Sequence, residues 1–213
     1  MSTDGAADVV TITYSDFAIS ADGAGQFFKP GSLERSAAKW FTFTPAAFSI
    51  SSQVPVQGTL TIRVPSEPAL HGTYWAAAFV NSSPRASTGG QANVAVAGRV
   101  AVAVYVNVGP GTQKAQAGNM KFDATTRTVS YVFQNQGDTL LRPATTLALV
   151  GADGKRFANL DLDDFPVLPG GVHNGTYRIP DSVQLPAGQF LAVLTFAYGD
   201  HKLIAAQGTF KGK

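Results

Sequence analysis

The chain has 213 residues, of which 45% are hydrophobic and only 14% charged, whereas soluble domains average ~25% charged residues. A formal net charge of +2 without any run of basic residues argues against a nucleic-acid partner. Cysteine is absent, which excludes disulfides, thiolate metal sites and cysteine nucleophiles. No apolar run approaches the ~20 residues of a transmembrane helix, and the amino terminus lacks the pattern of a signal peptide.

Short β-branched and aromatic runs bounded by Gly, Pro, Asn and Asp recur along the whole sequence, which is typical of an all-β protein. The strands predicted for the first half are residues 9–17, 25–28, 40–44, 47–51, 58–64, 72–80 and 99–108. The strands predicted for the second half are residues 119–123, 128–134, 144–150, 155–162, 175–179, 189–198 and 202–209. Seven strands in the second half match the immunoglobulin-type count.

Two segments between the strands bear on domain organisation. The run Gly109-Pro110-Gly111 follows the seventh strand, and glycines around a proline end strand pairing. Residues 81–98 are rich in Gly and Ser and are predicted to form a long loop between the sixth and seventh strands. We therefore expect two tandem immunoglobulin-like β-sandwich domains, at residues 1–109 and 113–213.

Two strands of the first half have informative side-chain patterns. Polar and apolar residues alternate in residues 59–64, which predicts that Leu60, Ile62 and Val64 face a core. Residues 100–108 carry a valine at every second position, with Ala, Ala, Tyr and Asn between them. Neither face of this strand carries a charge.

Several stretches resemble the periplasmic chaperones of chaperone/usher pilus assembly. WFTFTPAAFSI at residues 40–50, with TIRV at 61–64 and GTYW at 72–75, resembles the amino-terminal domain of that family. VFQNQGDTLLRP at residues 132–143, with VLPG at 167–170 and YGD at 198–200, resembles the carboxy-terminal domain. The resemblance implies an extracytoplasmic protein, in the periplasm or at the cell surface, with two sandwich domains.

In that family the chaperone lends its seventh strand to a pilus subunit that lacks one. The resemblance makes residues 99–108 the donor strand. It also implies that the opening strands of the first domain are missing, either because the chain is trimmed or because the domain is incomplete and accepts a strand from another protein. The family also holds the subunit's terminal carboxylate with basic residues, and Arg99 is the only basic residue on the matching strand. The partner-binding residues expected on this basis are Arg99, Val100, Val102, Val104, Val106 and Val108.

Other chemistry has weak support. The three histidines fall in predicted loops without a nucleophile motif, so no catalytic residue and no cofactor are expected, and the chain is predicted not to be an enzyme. Asp161, Asp163 and Asp164 form the one acidic cluster, but they lack the glycine and distal glutamate of an EF-hand loop. They are weak candidates for a metal, and a solvated strand end is the simpler interpretation.

The main hypothesis is therefore a chaperone-like or assembly protein that binds protein subunits of a pilus, filament or surface assembly by β-strand pairing. The alternative is a structural module of a surface layer, filament or adhesin, in which the tandem sandwiches serve as spacers or assembly contacts and the chain self-associates. A sugar-binding module is a third hypothesis, because aromatic residues are frequent in the first half, although such clusters are more often sandwich core.

Overall fold

A computed structural model of the chain describes residues 8–50, 55–67, 69–83 and 97–212, and these are all-β apart from one short 3-10 helix. The contacts divide the chain into two compact units. The first unit comprises Met1–Phe17 and Phe27–Val108, and the second comprises Ala18–Gln26 and Gly109–Lys213. The connection 18–26, which the sequence analysis places in the first domain, is thus grouped with the second unit. In the described part of the chain, no helix is long and apolar enough to cross a membrane.

The elements of the first unit follow the predicted strands closely. They are β1 (Asp8–Ile19), β2 (Gly25–Phe28), the 3-10 helix η1 (Ala38–Trp40), β3 (Phe41–Thr44), β4 (Ala47–Ile50), β5 (Thr59–Ile62), β6 (Gly72–Ser83) and β7 (Gly98–Val108). One sheet has the order β2-β1-β6-β7, with β4 also paired to β1, while β3 and β5 form a separate two-stranded sheet. The predicted loop at residues 81–98 is shorter, since residues 81 and 82 pair with 99 and 98; residues 84–96 lie outside the described chain.

Strand β6 is the central strand of the larger sheet and is buried on both faces. Tyr74 and Ala76 belong to a core with Phe41 of β3, whereas Trp75 and Phe79 are buried on the opposite face. A strand covered on both sides needs apolar residues at almost every position. This explains the uninterrupted apolar run at residues 74–80 of β6.

A buried carboxylate, that of Asp16, lies directly after Ser15, the last residue of β1 that pairs with β6. Asp16 is fully buried and accepts hydrogen bonds from the backbone N–H groups of Ser32 at 2.7 Å, Leu33 at 2.8 Å and Gly31 at 3.1 Å. The Ser36 hydroxyl donates to the same carboxylate. One side chain therefore fixes the whole loop that follows β2.

The alternation in residues 59–64 does not bury a full face, so that expectation was wrong. Leu60 is half-buried against the first-unit core, but Ile62 and Val64 are each 40% exposed. The reason is that β5 ends at Ile62, so Val64 lies beyond the strand, and of these three residues Leu60 alone packs against the first-unit core among the described residues.

The second unit contains the remaining strands. They are β8 (Ala115–Asp123), β9 (Thr128–Asn135), β10 (Ala144–Gly151), β11 (Arg156–Leu162), β12 (Val172–Arg178), β13 (Gln189–Tyr198) and β14 (Lys202–Lys211). Two antiparallel sheets, of order β11-β10-β13-β14 and β12-β9-β8, make the two layers. Both layers supply fully buried residues to one core, for example Phe133 from β9 and Leu147 from β10, as in an immunoglobulin-type sandwich.

Glycines close two hairpins of the second unit, in the gaps between the predicted strands 144–150 and 155–162 and between 189–198 and 202–209. Gly154 has a φ of 77° in the β10–β11 turn, and Gly199 has a φ of 55° between β13 and β14. Only glycine adopts such backbone angles without steric cost.

A buried amide fixes the loop that follows β9. Asn135 is fully buried and donates side-chain hydrogen bonds to the carbonyl oxygens of Thr139 at 2.7 Å and Val167 at 2.9 Å.

Candidate functional site

Strand β7 is an edge strand. It pairs with β6 in antiparallel register from Gly72↔Val108 to Ser82↔Gly98, and no described strand pairs with its other edge. An unpaired edge presents a row of backbone N–H and C=O groups that another strand can bind. The position of the predicted donor strand is therefore compatible with strand addition.

The valine row of β7 is covered at one end and open at the other. Val104, Val106 and Val108 are half-buried against the first-unit core. Val100 and Val102 are 62% and 49% exposed. The difference arises because the described core that covers the row, with residues from η1, β3 and β5 among others, includes Val104, Val106 and Val108 but neither Val100 nor Val102.

The open end of the valine row belongs to a wider apolar face. Val100 lies opposite Val80 and Val102 opposite Ala78 in the register of β6 and β7. On the other side of β6, Val80 lies opposite Ile12 of β1. Because paired residues share a face of the sheet, these side chains form a continuous apolar surface beside the covered core.

Tyr14 marks the boundary between the open face and the covered core. Its ring packs edge-on against Phe41, with centroids 5.7 Å apart, and its register partner is Ala78. Its hydroxyl is buried without a hydrogen-bond partner among the described residues, and burial raises the pKa of Tyr14 above its usual value. Tyr14 thus remains neutral, and its unpaired hydroxyl lies beneath the apolar face.

Arg99 lies on the opposite face of β7 from the valines. Its register partner is Asn81, and its guanidinium carbon lies 3.5 Å from the centroid of the Phe79 ring. This distance is within the range of a cation–π interaction. The structure therefore separates Arg99 from the valine row, with which the sequence analysis grouped it.

The acidic cluster is spread over a strand and the loop that follows it. Asp161 is exposed on β11, opposite Thr146 of β10, while Asp163 and Asp164 are exposed just after the strand ends. Asp164 lies 4.0 Å from the Nη1 atom of Arg142. Within the described ranges, no three acidic or histidine side chains are grouped closely enough to hold a metal ion.

The three histidines lie in different environments. His71 is exposed, with its Nδ1 atom 3.0 Å from the carbonyl oxygen of Ala69, and His201 occupies a turn with a φ of 59°. His173 is half-buried on β12 and stacks on Phe165, with ring centroids 3.8 Å apart. Burial lowers the pKa of His173 below its usual value.

Sequence reasoning missed a cavity in the second unit, next to Tyr131 and Gly175. Asp163, Asp164 and His173, which the sequence analysis considered separately, all line it. Gly175 begins the predicted strand 175–179 but lies in the middle of β12, where a glycine often marks the close approach of another group; the predicted strand start, three residues too late, hid this signal.

Comparison with known proteins is informative only at the level of structure. No protein-family model matches the sequence, and no curated protein matches it. A chain in the chaperone–tip adhesin complex of CFA/I fimbriae biogenesis is 8% identical, with a TM-score of 0.51, over 96% of this chain and 86% of that one. The class 5 fimbriae chaperone CfaA is also 8% identical, with a TM-score of 0.50, over 98% of this chain and 88% of that one.

The CupB2 chaperone of Pseudomonas aeruginosa is 10% identical over 100% of this chain and 89% of its own, with a TM-score of 0.41. CupB2 and CfaA are both named as chaperones. At such identities the likeness concerns the fold. The chain therefore has the tandem immunoglobulin-like fold of the pilus chaperones of the chaperone/usher pathway, the family that its sequence motifs resemble.

Proposed function

We propose that the chain is an extracytoplasmic chaperone-like or assembly protein, not an enzyme, which binds subunits of a pilus or filament by β-strand pairing through β7. The observation that carries this proposal is the edge of β7 that no described strand pairs, combined with its open valine row, where Val100 and Val102 are 62% and 49% exposed. Its fold, shared with pilus chaperones, supports the same function.

The proposed interaction has two physical components. Backbone groups on the free edge of β7 pair with a strand of the subunit, which gives affinity, and the alternate side chains fill apolar pockets, which gives specificity. Completing the burial of Val100 and Val102, already partly covered, would contribute on the order of 2 kcal/mol. Val104, Val106 and Val108 are packed in the chain's own core and position the strand for this contact.

The test coexpresses the chain with candidate pilus or filament subunits from the same organism, followed by copurification and size-exclusion chromatography with light scattering. Val102→Asp places a charge on the open apolar face, so we expect it to abolish the complex. Ala101→Asp is the matched control, because Ala101 is exposed on the same strand but lies opposite Phe79 on the other face. We expect Ala101→Asp to retain binding through the valine face.

Circular dichroism must first show that both variants are folded. A folded Val102→Asp variant that binds a subunit as well as the unmodified chain would refute the proposal. Open-ended assembly of the chain alone, lost in Val102→Asp, would instead favour the structural-module alternative, in which β7 pairs with another copy.

A further inference from the structure

The second unit contains a cavity of about 250 Å³ at the side of its sandwich. Its walls come from β12, from the segment after β11 and from Asp22, and all of these residues belong to the second unit. The cavity is separate from β7, so an inference about it goes beyond the function proposed above.

A buried tyrosine ends in this cavity. Tyr131 is only 4% exposed and faces Gly175 across the β9–β12 pairing. A Cβ atom added to Gly175 would lie 2.0 Å from the Cζ atom and 2.4 Å from the hydroxyl oxygen of Tyr131. The ring therefore passes directly over Gly175, and only glycine at this position leaves room for it.

The hydroxyl of Tyr131 makes no hydrogen bond to any described residue, although both Tyr131 and Gly175 line the cavity. Burial raises the pKa of Tyr131 to about 12, so the group is neutral at physiological pH. The hydroxyl oxygen is not sealed inside the core and lies at the cavity, where it can donate and accept a hydrogen bond. The cavity thus contains a polar group available to a ligand.

Aromatic rings form the inner wall beside Tyr131. Phe165 and His173 are stacked at 3.8 Å with an interplanar angle of 15°, and the Tyr131 ring lies 6.3 Å from Phe165 and 6.1 Å from His173. The pKa of His173 is lowered by burial, so His173 is neutral at pH 7. The wall is therefore uncharged and rich in π surface, which favours a cation.

The rim of the cavity carries negative charge. Asp22, Asp163 and Asp164 all line it. Arg142 offsets part of this charge, since its Nη1 atom lies 4.0 Å from Asp164, while the hydroxyl of Ser20 donates a hydrogen bond to Asp22 and contributes no charge. The rim is therefore net acidic.

Two observations narrow the chemical class and the size of the ligand that this cavity can bind. No three acidic or histidine groups in the described residues are arranged to hold a metal ion, so an organic cation suits the rim better. The cavity, at about 250 Å³, is below the ~300 Å³ at which small-molecule sites begin. We propose that this cavity binds the lysine or arginine side chain of a polypeptide partner, with carboxylates at the rim, aromatic rings at the wall and the Tyr131 hydroxyl at the end.

The proposal can be tested by NMR titration of the ¹⁵N-labelled full chain with the amides of Nα-acetyl-lysine and Nα-acetyl-arginine, which keep the charged side chain. We expect saturable shifts at the backbone amides of Asn174 and Gly175, with dissociation constants on the order of 1 mM, as suits a single side chain. N-acetyl-citrulline amide, which has the shape of arginine without its charge, should give no saturable shift. Spermidine distinguishes a free polyamine from a side chain: shifts with spermidine alone would overturn the proposal.

Three variants sharpen the test. Asp163→Asn removes a rim carboxylate, and we expect binding to weaken about tenfold, because charge-assisted hydrogen bonds are the strong ones. Asp161→Asn is the matched control, since Asp161 carries the same charge two residues away and does not line the cavity. Tyr131→Phe keeps the core ring and loses only the hydroxyl, which should weaken binding severalfold.

Equal binding by Asp163→Asn and by the unmodified chain would refute the assignment, as would equal weakening by Asp163→Asn and Asp161→Asn. Shifts produced by Ca²⁺, but by neither amide, would replace the side-chain ligand with a metal and would also overturn it.

Discussion

The two units are built from similar strands, but only the second closes its core. In the second unit Phe133, Leu147 and Phe196 are fully buried between two sheets. In the first unit Val100 and Val102 remain largely exposed on a sheet whose other half is well packed.

The difference follows from the width of the covering layer. In the part of the chain that the structure describes, a three-stranded sheet packs against a four-stranded one in the second unit, whereas the first unit has a two-stranded sheet and a five-stranded one. Two short strands cannot cover the whole apolar face of a wider sheet. Strand composition alone thus does not decide whether a sandwich is closed; the number of strands in the facing sheet does.

The largest expected effect is in the closed core. Phe133 is fully buried and contacts Phe165, Phe196 and Tyr198 through its ring. Phe133→Ala should lower the free energy of unfolding by about 3–5 kcal/mol, from lost transfer energy and the cavity left behind. Urea denaturation followed by far-ultraviolet circular dichroism measures the free energy of unfolding. A loss below about 1 kcal/mol would contradict the claim that the core of the second unit is closed and tightly packed.

The second effect tests what holds the open unit together. Asp16→Asn removes the charge that accepts hydrogen bonds from Gly31, Ser32, Leu33 and Ser36. Because hydrogen bonds to charged groups are worth about 1.5–3 kcal/mol each and the amide keeps some of them, we expect a loss of about 3 kcal/mol. Tryptophan fluorescence during urea denaturation is a suitable measurement, since both tryptophans lie in the first unit.

The same carboxylate predicts an acid dependence. Burial alone would raise the pKa of Asp16, but the hydrogen bonds from Ser36, Leu33, Gly31 and Ser32 outweigh burial and hold this pKa below its usual value. The stabilisation is therefore fully present above the unfolded-state pKa of ~3.9 and is lost as pH falls through the lower folded-state pKa. Asp16→Asn should remove this part of the acid dependence; an unchanged pH profile would contradict the prediction.

The smallest effect compares two positions of the valine row. Val102→Thr should change stability by no more than about 0.5 kcal/mol, since Val102 is 49% exposed. Val104→Thr has the same chemistry but places a hydroxyl against the half-buried core, and should cost about 1–2 kcal/mol. Thermal unfolding of the two variants side by side measures the contrast, and equal losses would show that the row is uniformly covered.

The sequence by itself determined the elements and the fold class. Alternating valines, β-branched runs and turn glycines depend on local backbone geometry, so strands such as β2 and β13 were predicted with their observed ends. The all-β, tandem sandwich fold and the resemblance to pilus chaperones were available from the same local patterns.

Tertiary structure decided which residues of those strands are exposed and which are covered by another layer. Period-two patterning shows which side chains share a face, but not whether another layer covers that face, so the exposure of Ile62, Val64 and Val102 could not be read from the sequence. The placement of Arg99 on Phe79, the loop held by Asp16 and the passage of Tyr131 over Gly175 join residues distant in the chain. Such contacts depend on how strands pair and layers pack, which local patterns do not encode.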